Sequence, residues 1–222
     1  MKHIFISKLR DEIPLFDSYC QQNGISLVAE SLIIFEPVPA KIPEEMDIVF
    51  FTSPRSVHFF FEQVPAKFKC NAFACMGKGT ELTLNEKGQS AYFVGLFSSD
   101  PKKVFANLKS SVGDRIITVP HSSSSLFSIG HYFPKHQLHF IEVYKTLSLQ
   151  KVIPSVSIYI FTSPSNVKSF LANNIIHSNA RIIAWGSSTR EFLNANNVKV
   201  NDCLTSGNEN ELIQILELSN TN

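Results

Sequence analysis

One phrase occurs twice in this chain, and no other feature constrains the fold as strongly. Ile48-Val49-Phe50-Phe51-Thr52-Ser53-Pro54-Arg55-Ser56-Val57 returns about 110 residues later as Ile158-Tyr159-Ile160-Phe161-Thr162-Ser163-Pro164-Ser165-Asn166-Val167. The next apolar run repeats at nearly the same offset, with Ala72-Phe73-Ala74-Cys75-Met76-Gly77-Lys78-Gly79-Thr80 matched by Arg181-Ile182-Ile183-Ala184-Trp185-Gly186-Ser187-Ser188-Thr189. A third turn follows suit, Phe97-Ser98-Ser99-Asp100 against Thr205-Ser206-Gly207-Asn208. Matches in the same order imply a duplicated supersecondary unit, so the chain is expected to form two lobes of similar build.

Each copy reads as a short run of Val, Ile and Phe, a turn, and a helix, the pattern of a parallel sheet with crossover helices. Ile4-Phe5-Ile6 is a first strand. From about Leu9 to Asn23 the apolar residues Ile13, Phe16, Tyr19 and Cys20 fall at helical spacing, Asn23-Gly24 ends the helix, and Ser26 to Ala29 gives a second strand. The extended, proline-punctuated stretch Leu32 to Pro39 reads as a connector, and Leu138 to Thr146 as a long returning strand. The expected fold is therefore α/β, with two similar Rossmann-like or flavodoxin-like lobes, parallel sheets and a two-stranded connector. Residues 1–36 with 148–222 would form a discontinuous domain and 41–142 an inserted one, with connectors near 35–41 and 141–148.

With 44% hydrophobic residues, 19 Phe and 18% charged residues, 222 residues suffice for packed cores. A net charge of +1 provides no field to gather nucleic acid or an anionic membrane, so an anionic ligand has to be held locally. Lys8 and Arg10 interrupt the amino-terminal apolar run before it reaches the length of a signal or membrane segment, which points to a cytoplasmic chain. Cys20, Cys70, Cys75 and Cys203 form no close pair and read as reduced thiols, Cys75 in the core. His121, His131, His136 and His139 match no metal spacing and read as surface or loop residues; no metal is expected.

In parallel α/β sheets ligands collect at the carboxyl ends of strands, where every repeated turn falls. Thr52-Ser53-Pro54 and Thr162-Ser163-Pro164 set a hydroxyl cap before a proline at the first helical position, a helix start that favours carboxylates or phosphates. A single Ser-Pro is ordinarily plain capping; a matched pair shifts the weight toward a ligand. In Gly77-x-x-Thr80 and Gly186-x-x-Thr189 the glycine permits a tight turn and close approach while a hydroxyl opens the helix. Four such turns suggest two faces gripping one polyanionic ligand with neutral groups.

These turns, taken with Val143-Tyr144-Lys145-Thr146, resemble uroporphyrinogen-III synthase along essentially the whole chain, the order and spacing carrying the resemblance. It implies a cofactor-free lyase working in a cleft between two lobes on a small linear tetrapyrrole; oligomeric state stays open, with nothing in the sequence to suggest more than a monomer. The reaction takes hydroxymethylbilane to uroporphyrinogen III: the terminal hydroxyl leaves as water to give an azafulvene, the substituted carbon of the last pyrrole attacks to form a spiro intermediate, and fragmentation and reclosure invert that ring. Tyr144 would protonate or hydrogen-bond the departing hydroxyl. Thr52, Ser53, Thr80, Thr162, Ser163, Ser188 and Thr189 would supply hydroxyls and adjacent amides to substrate carboxylates. Lys8, near an arginine of many relatives, is either a cation of the cleft or a solvated loop lysine. Val119-Pro120-His121-Ser122-Ser123-Ser124-Ser125 departs from the relatives' arginine and glycines, and its serines are either helix-start donors or a flexible loop. The rival from another class is a two-lobed anion- or sugar-binding module without chemistry. A single flavodoxin-like domain would explain one Thr-Ser-Pro turn but not its partner.

Overall fold

The computed structural model describes residues 2–96, 100–123 and 128–218. In chain order the elements are β1 (His3–Ile6), α1 (Pro14–Gln22), β2 (Ser26–Ala29), β3 (Ile33–Pro37), β4 (Glu45–Phe51), α2 (Pro54–Phe61), β5 (Lys69–Cys75), α3 (Lys78–Glu86) and β6 (Ala91–Val94). They continue with α4 (Pro101–Val112), β7 (Ile117–Ser122), β8 (Leu138–Ser148), β9 (Ile158–Phe161), α5 (Pro164–Asn173), β10 (Arg181–Ala184), α6 (Ser187–Ala195), β11 (Asp202–Cys203) and α7 (Glu209–Leu218). Contacts divide the chain into a first unit, Met1–Ile34 with Leu147–Asn222, and a second, Phe35–Thr146.

The first unit is a five-stranded sheet in the order β11-β10-β9-β1-β2, every pair parallel. The second carries β6-β5-β4-β7-β8, again parallel, with β3 added beside β8. Leu149 N–H donates to Leu32 O at 2.8 Å and Val38 N–H to Val143 O at 3.0 Å, so residue numbers run oppositely and β3 is antiparallel to β8. These two strands form the connector along which the chain passes between units.

Position for position the five parallel strands match: β9, β10 and β11 occupy the places of β4, β5 and β6, while β1 and β2 occupy those of β7 and β8. The units are circular permutations of one plan. This is why the repeat spans only the strand-turn-helix phrases shared in chain order, and why the first strand and helix have no recognisable copy upstream of Glu45.

Both faces of each sheet are covered, so the strands read as unbroken apolar runs. In the first unit Ile4, Ile6, Ile160 and Ile183 face Phe16 and Cys20 of α1 and Leu212 and Leu216 of α7. On the opposite face, Phe5, Tyr159 and Phe161 pack with Val167 and Phe170 of α5 and Leu193 of α6. In the second unit Ile48, Phe50, Ile117 and Val119 face Val104, Phe105 and Leu108 of α4. There Val49, Phe51, Phe73 and Cys75 meet Val57 and Phe60 of α2 and Leu84 of α3. Truncating a fully enclosed ring such as Phe51 or Phe170 would cost about 3–5 kcal/mol.

Two sequence expectations need correction. The helix expected from Leu9 is a short 3-10 turn, Arg10–Glu12, followed by a break at Ile13 (φ −141°, ψ 50°), with α1 starting at Pro14. Proline disfavours the helical conformation in the residue before it and lacks the N–H that would continue the ladder. His121 is not a surface or loop residue: it lies buried in β7, whereas His131, His136 and His139 are exposed as expected. Cys75 is enclosed as expected, and burial pushes its thiol up to about 12, which leaves it unreactive.

Candidate active site

An open parallel sheet has a crevice where neighbouring strands send their chains off in opposite directions, here between β1 and β9 in the first unit and between β4 and β7 in the second. Register shows which residues correspond at the two crevices. Ile158 pairs with Ile4 and Ile48 with Ile117, so Pro120 stands where Ser7 stands and His121 where Lys8 stands.

The consequence is an asymmetry between the two threonines of the repeated turns. Thr162 Oγ1 donates to Ser7 O at 2.8 Å and lies 3.0 Å from Ser7 Oγ, which in turn accepts from Thr162 N–H at 2.8 Å. Thr162 is therefore engaged in joining β1 to β9. Pro120 has neither hydroxyl nor N–H, and the β4–β7 pairing runs only to Val49–Thr118. The half-buried Thr52 hydroxyl has no hydrogen-bond partner among the described residues.

The helix starts differ in the same telling way. Ser53 caps α2 by accepting from Ser56 N–H at 3.2 Å, and Ser163 caps α5 by accepting from Asn166 N–H at 3.3 Å. With Pro54 and Pro164 lacking N–H groups, the first and third amides of those helices are accounted for. Elsewhere the chain uses its own acceptors: Glu209 takes Phe16 N–H of α1 at 2.7 Å, Asp100 takes Lys103 N–H of α4, and Asn208 takes Glu211 N–H of α7. Only α3 and α6 have no side-chain acceptor among the described residues, because their caps are Gly77 and Gly186. Both glycines are fully extended (φ −173° and −176°), so the tight turn expected of them is not used. Their contribution is the absence of a capping side chain. The amides of Lys78 and Gly79, and of Ser187 and Ser188, have no hydrogen-bond acceptor among the described residues.

Thr80 and Thr189 do not open these helices. They sit in the first turn at the third position, 4% and 2% exposed, while Ser188 is exposed beside the open amides. Lys8 is half-buried, its Nζ 4.8 Å from the centre of the Trp185 ring. Trp185, which precedes Gly186, is reached closely by Gly207 (φ +60°), where a Cβ would come within 3.2 Å of Trp185 O.

The third turn of the first unit is filled from within. Glu211 accepts from the N–H and hydroxyl of Thr205 (2.7 and 2.5 Å) and of Ser206 (2.8 and 2.6 Å). Burial alone would raise its carboxyl, but these hydrogen bonds outweigh that and hold it down at about 2. The corresponding Phe97, Ser98 and Ser99 lie outside the described residues, as do Ser124 and Ser125.

Tyr144, on β8, is 8% exposed. Its ring stacks on Phe59 of α2 (centroids 5.0 Å, interplanar 16°) and meets Phe35 edge-on at 5.9 Å, and the Arg55 guanidinium lies 4.1 Å above Phe35. Every enclosed side-chain N or O among the described residues has a partner, yet the Tyr144 hydroxyl has none, so its oxygen reaches the surface. Ser7, Trp185, Phe35 and Phe59 are the neighbours that reading the sequence did not single out; only Trp185, inside the repeat, carried any signal.

The fold and these openings define a two-unit α/β protein with parallel sheets whose strand ends carry uncapped helix amides and hydroxyls. The profile of the family described as Uroporphyrinogen-III synthase HemD matches residues 16–205. The chain belongs to the uroporphyrinogen-III synthase family. Among solved structures it is similar to uroporphyrinogen-III synthetase from Helicobacter pylori, with TM-score 0.70, 17% identity and 99% of each chain covered. A mutant uroporphyrinogen III synthase from Thermus thermophilus gives TM-score 0.67 at 14% identity, covering 100% of this chain and 99% of that one. At these identities the likeness is one of fold. No curated protein matches by sequence at a significant level.

Proposed function

We propose that this chain closes hydroxymethylbilane to uroporphyrinogen III with loss of water, as its family membership implies, and that it does so by holding the substrate's carboxylates on uncapped backbone amides. The observation that carries the reading is the matched pair of glycine-capped starts, α3 and α6, left without acceptors while the other described helices are closed by side chains of the chain itself. Fixed amides at a helix start receive a carboxylate without the reorganisation that water would need. The Thr52 hydroxyl, freed by Pro120, adds a donor in the second unit. Lys8, held over Trp185, adds a cation in the first.

The chemistry asks for conformational control more than for a strong nucleophile, because the hydroxymethyl group ionises readily and the difficulty lies in aligning the two ends of the substrate. Tyr144 is suited to the one proton-dependent event. Its ring is immobilised against Phe59 while its hydroxyl is open, so the phenol donates toward the departing hydroxyl, which leaves as water. The resulting azafulvene carbon is attacked by the substituted carbon of the terminal pyrrole; the spiro intermediate breaks at its other bond, and reclosure gives the inverted ring. The same reading makes the protein a cytoplasmic monomer with no nucleic-acid partner, which the net charge of +1 supports.

Incubating the purified chain with hydroxymethylbilane and separating the type I and type III products tests this directly. The reading expects type III in excess at rates well above spontaneous closure; type I alone at high enzyme concentration contradicts it. Tyr144→Phe is expected to lower kcat by about tenfold or more with unchanged thermal stability. Unaltered turnover would remove Tyr144 from the mechanism.

A further inference from the structure

We infer that His121, which has no part in the scheme above, is a positioning residue that sets the place of Tyr144. The inference rests on the proposed role of Tyr144 and starts from strand geometry. Side chains on a regular strand alternate between the two faces of the sheet. On β8, Leu138 lies on the α4 side with Ile117 and Val119 of β7, while Ile141 and Val143 lie on the α2 side. Alternation would send Tyr144 back to the α4 side. It lies instead beside Val143 in the α2-side core, stacked on Phe59.

The pairing register accounts for this. His121 stands opposite Glu142, but Ser122 stands opposite Tyr144, so β8 carries one extra residue, Val143, at this point. Such a bulge breaks the alternation and re-aims the side chain that follows. The corresponding pair β1–β2 ends at Ile6–Ala29, before the place equivalent to this shift, so the first unit has no paired counterpart of it. The bulge carries the Tyr144 ring to the face covered by α2.

A bulge disrupts the ladder and has to be held, and His121 sits at the shift. Its ring is 9% exposed and packs edge-on against Phe140 with centroids 6.0 Å apart. His121 Nδ1 lies 2.8 Å from Ser122 O. A carbonyl oxygen only accepts, so Nδ1 carries the hydrogen. The next amide, Ser123 N–H, donates to Tyr144 O at 3.2 Å. The imidazole thus holds the carbonyl of the peptide that joins Ser122 to Ser123, and the N–H of that same peptide holds the main chain of Tyr144. A residue present only to fill space there would need no donor.

The test compares His121→Asn, whose side-chain amide sits near the place of Nδ1, with His121→Gln, of equal polarity but with its amide farther out, and with His121→Leu. Each variant is checked by thermal unfolding, by steady-state kinetics on hydroxymethylbilane, and by NMR of protein labelled with ¹³C-tyrosine, where stacking on Phe59 displaces the Tyr144 ring signal. The Asn variant is expected to keep that signal and a kcat within about twofold of the parent. The Gln and Leu variants should lose the displaced signal and about fivefold in kcat, the worth of one neutral hydrogen bond, with KM within about twofold. In a Tyr144→Phe background, His121→Gln should have no further effect. Equal losses for Asn and Gln, additive losses in the double variant, or a Tyr144 signal unmoved in the Gln variant would each overturn the inference. Should Tyr144→Phe alone leave turnover unchanged, the mechanistic reading falls while the ring signal still decides whether His121 places the phenol. If the Leu variant does not fold, the Asn and Gln pair carries the comparison.

Discussion

At the scale of single residues, identical letters in a repeat do not have identical jobs. Thr52 and Thr162 occupy the same place in the duplicated phrase, yet Ser7 engages one and Pro120 leaves the other free. Thr162→Val is therefore expected to lower stability by about 1–2 kcal/mol through lost hydrogen bonds, read by denaturant unfolding, with activity per folded molecule little changed. Thr52→Val should leave stability within about 0.5 kcal/mol and raise KM several-fold. Glu211 gives a pH signature. Its carboxyl is held down to about 2 against an ordinary value of 4.5, so its stabilisation is complete above pH 4.5 and is lost as pH falls toward 2. Screening at this partly exposed site limits the effect to about 1 kcal/mol. Glu211→Gln should lower stability at neutral pH and flatten the acid limb of the unfolding profile; an unchanged acid limb would argue against the Glu211 contacts. The difference between Thr52 and Thr162 was not legible in the sequence, because Ser7 and Thr162 are 155 residues apart.

Among the secondary-structure elements, the informative property is which helix starts the protein leaves open. A glycine cap is a weaker helix start than Ser, Asp or Asn, and it stands at equivalent positions of both units. Gly186→Asp tests this trade. Its backbone is extended and a Cβ there meets nothing within 4 Å, so a side chain can begin there without backbone strain. It would occupy the amides of α6 and complement the helix dipole, so stability should rise by about 0.5 kcal/mol while KM rises about tenfold. Unchanged KM would show that these amides do not meet substrate. The sequence located the Gly-x-x-Thr turns but assigned the opening of the helix to threonine; burial of Thr80 and Thr189 reverses that assignment. The bulge at Val143 was equally hidden, since it depends on which residues of β7 and β8 pair.

For the molecule as a whole, the duplicated phrase was the readable part, because strand, turn and helix are contiguous in the chain and leave a local pattern of apolar runs and caps. Fold class followed from it. The permutation did not, since β1 and β2 match β7 and β8 only through strand order, which a linear sequence does not display. The proposal that unites these points is that rigid main-chain donors, and not a cluster of cations, hold a flexible, multiply carboxylated chain in its less accessible alignment for closure. That claim is most directly tested by ¹H-¹⁵N amide spectra recorded while uroporphyrinogen III is titrated in under reducing, light-excluded conditions. The account predicts that the largest saturable shifts fall on the amides of Lys78, Gly79, Ser187 and Ser188. Saturable binding that leaves those four amides unmoved would contradict it.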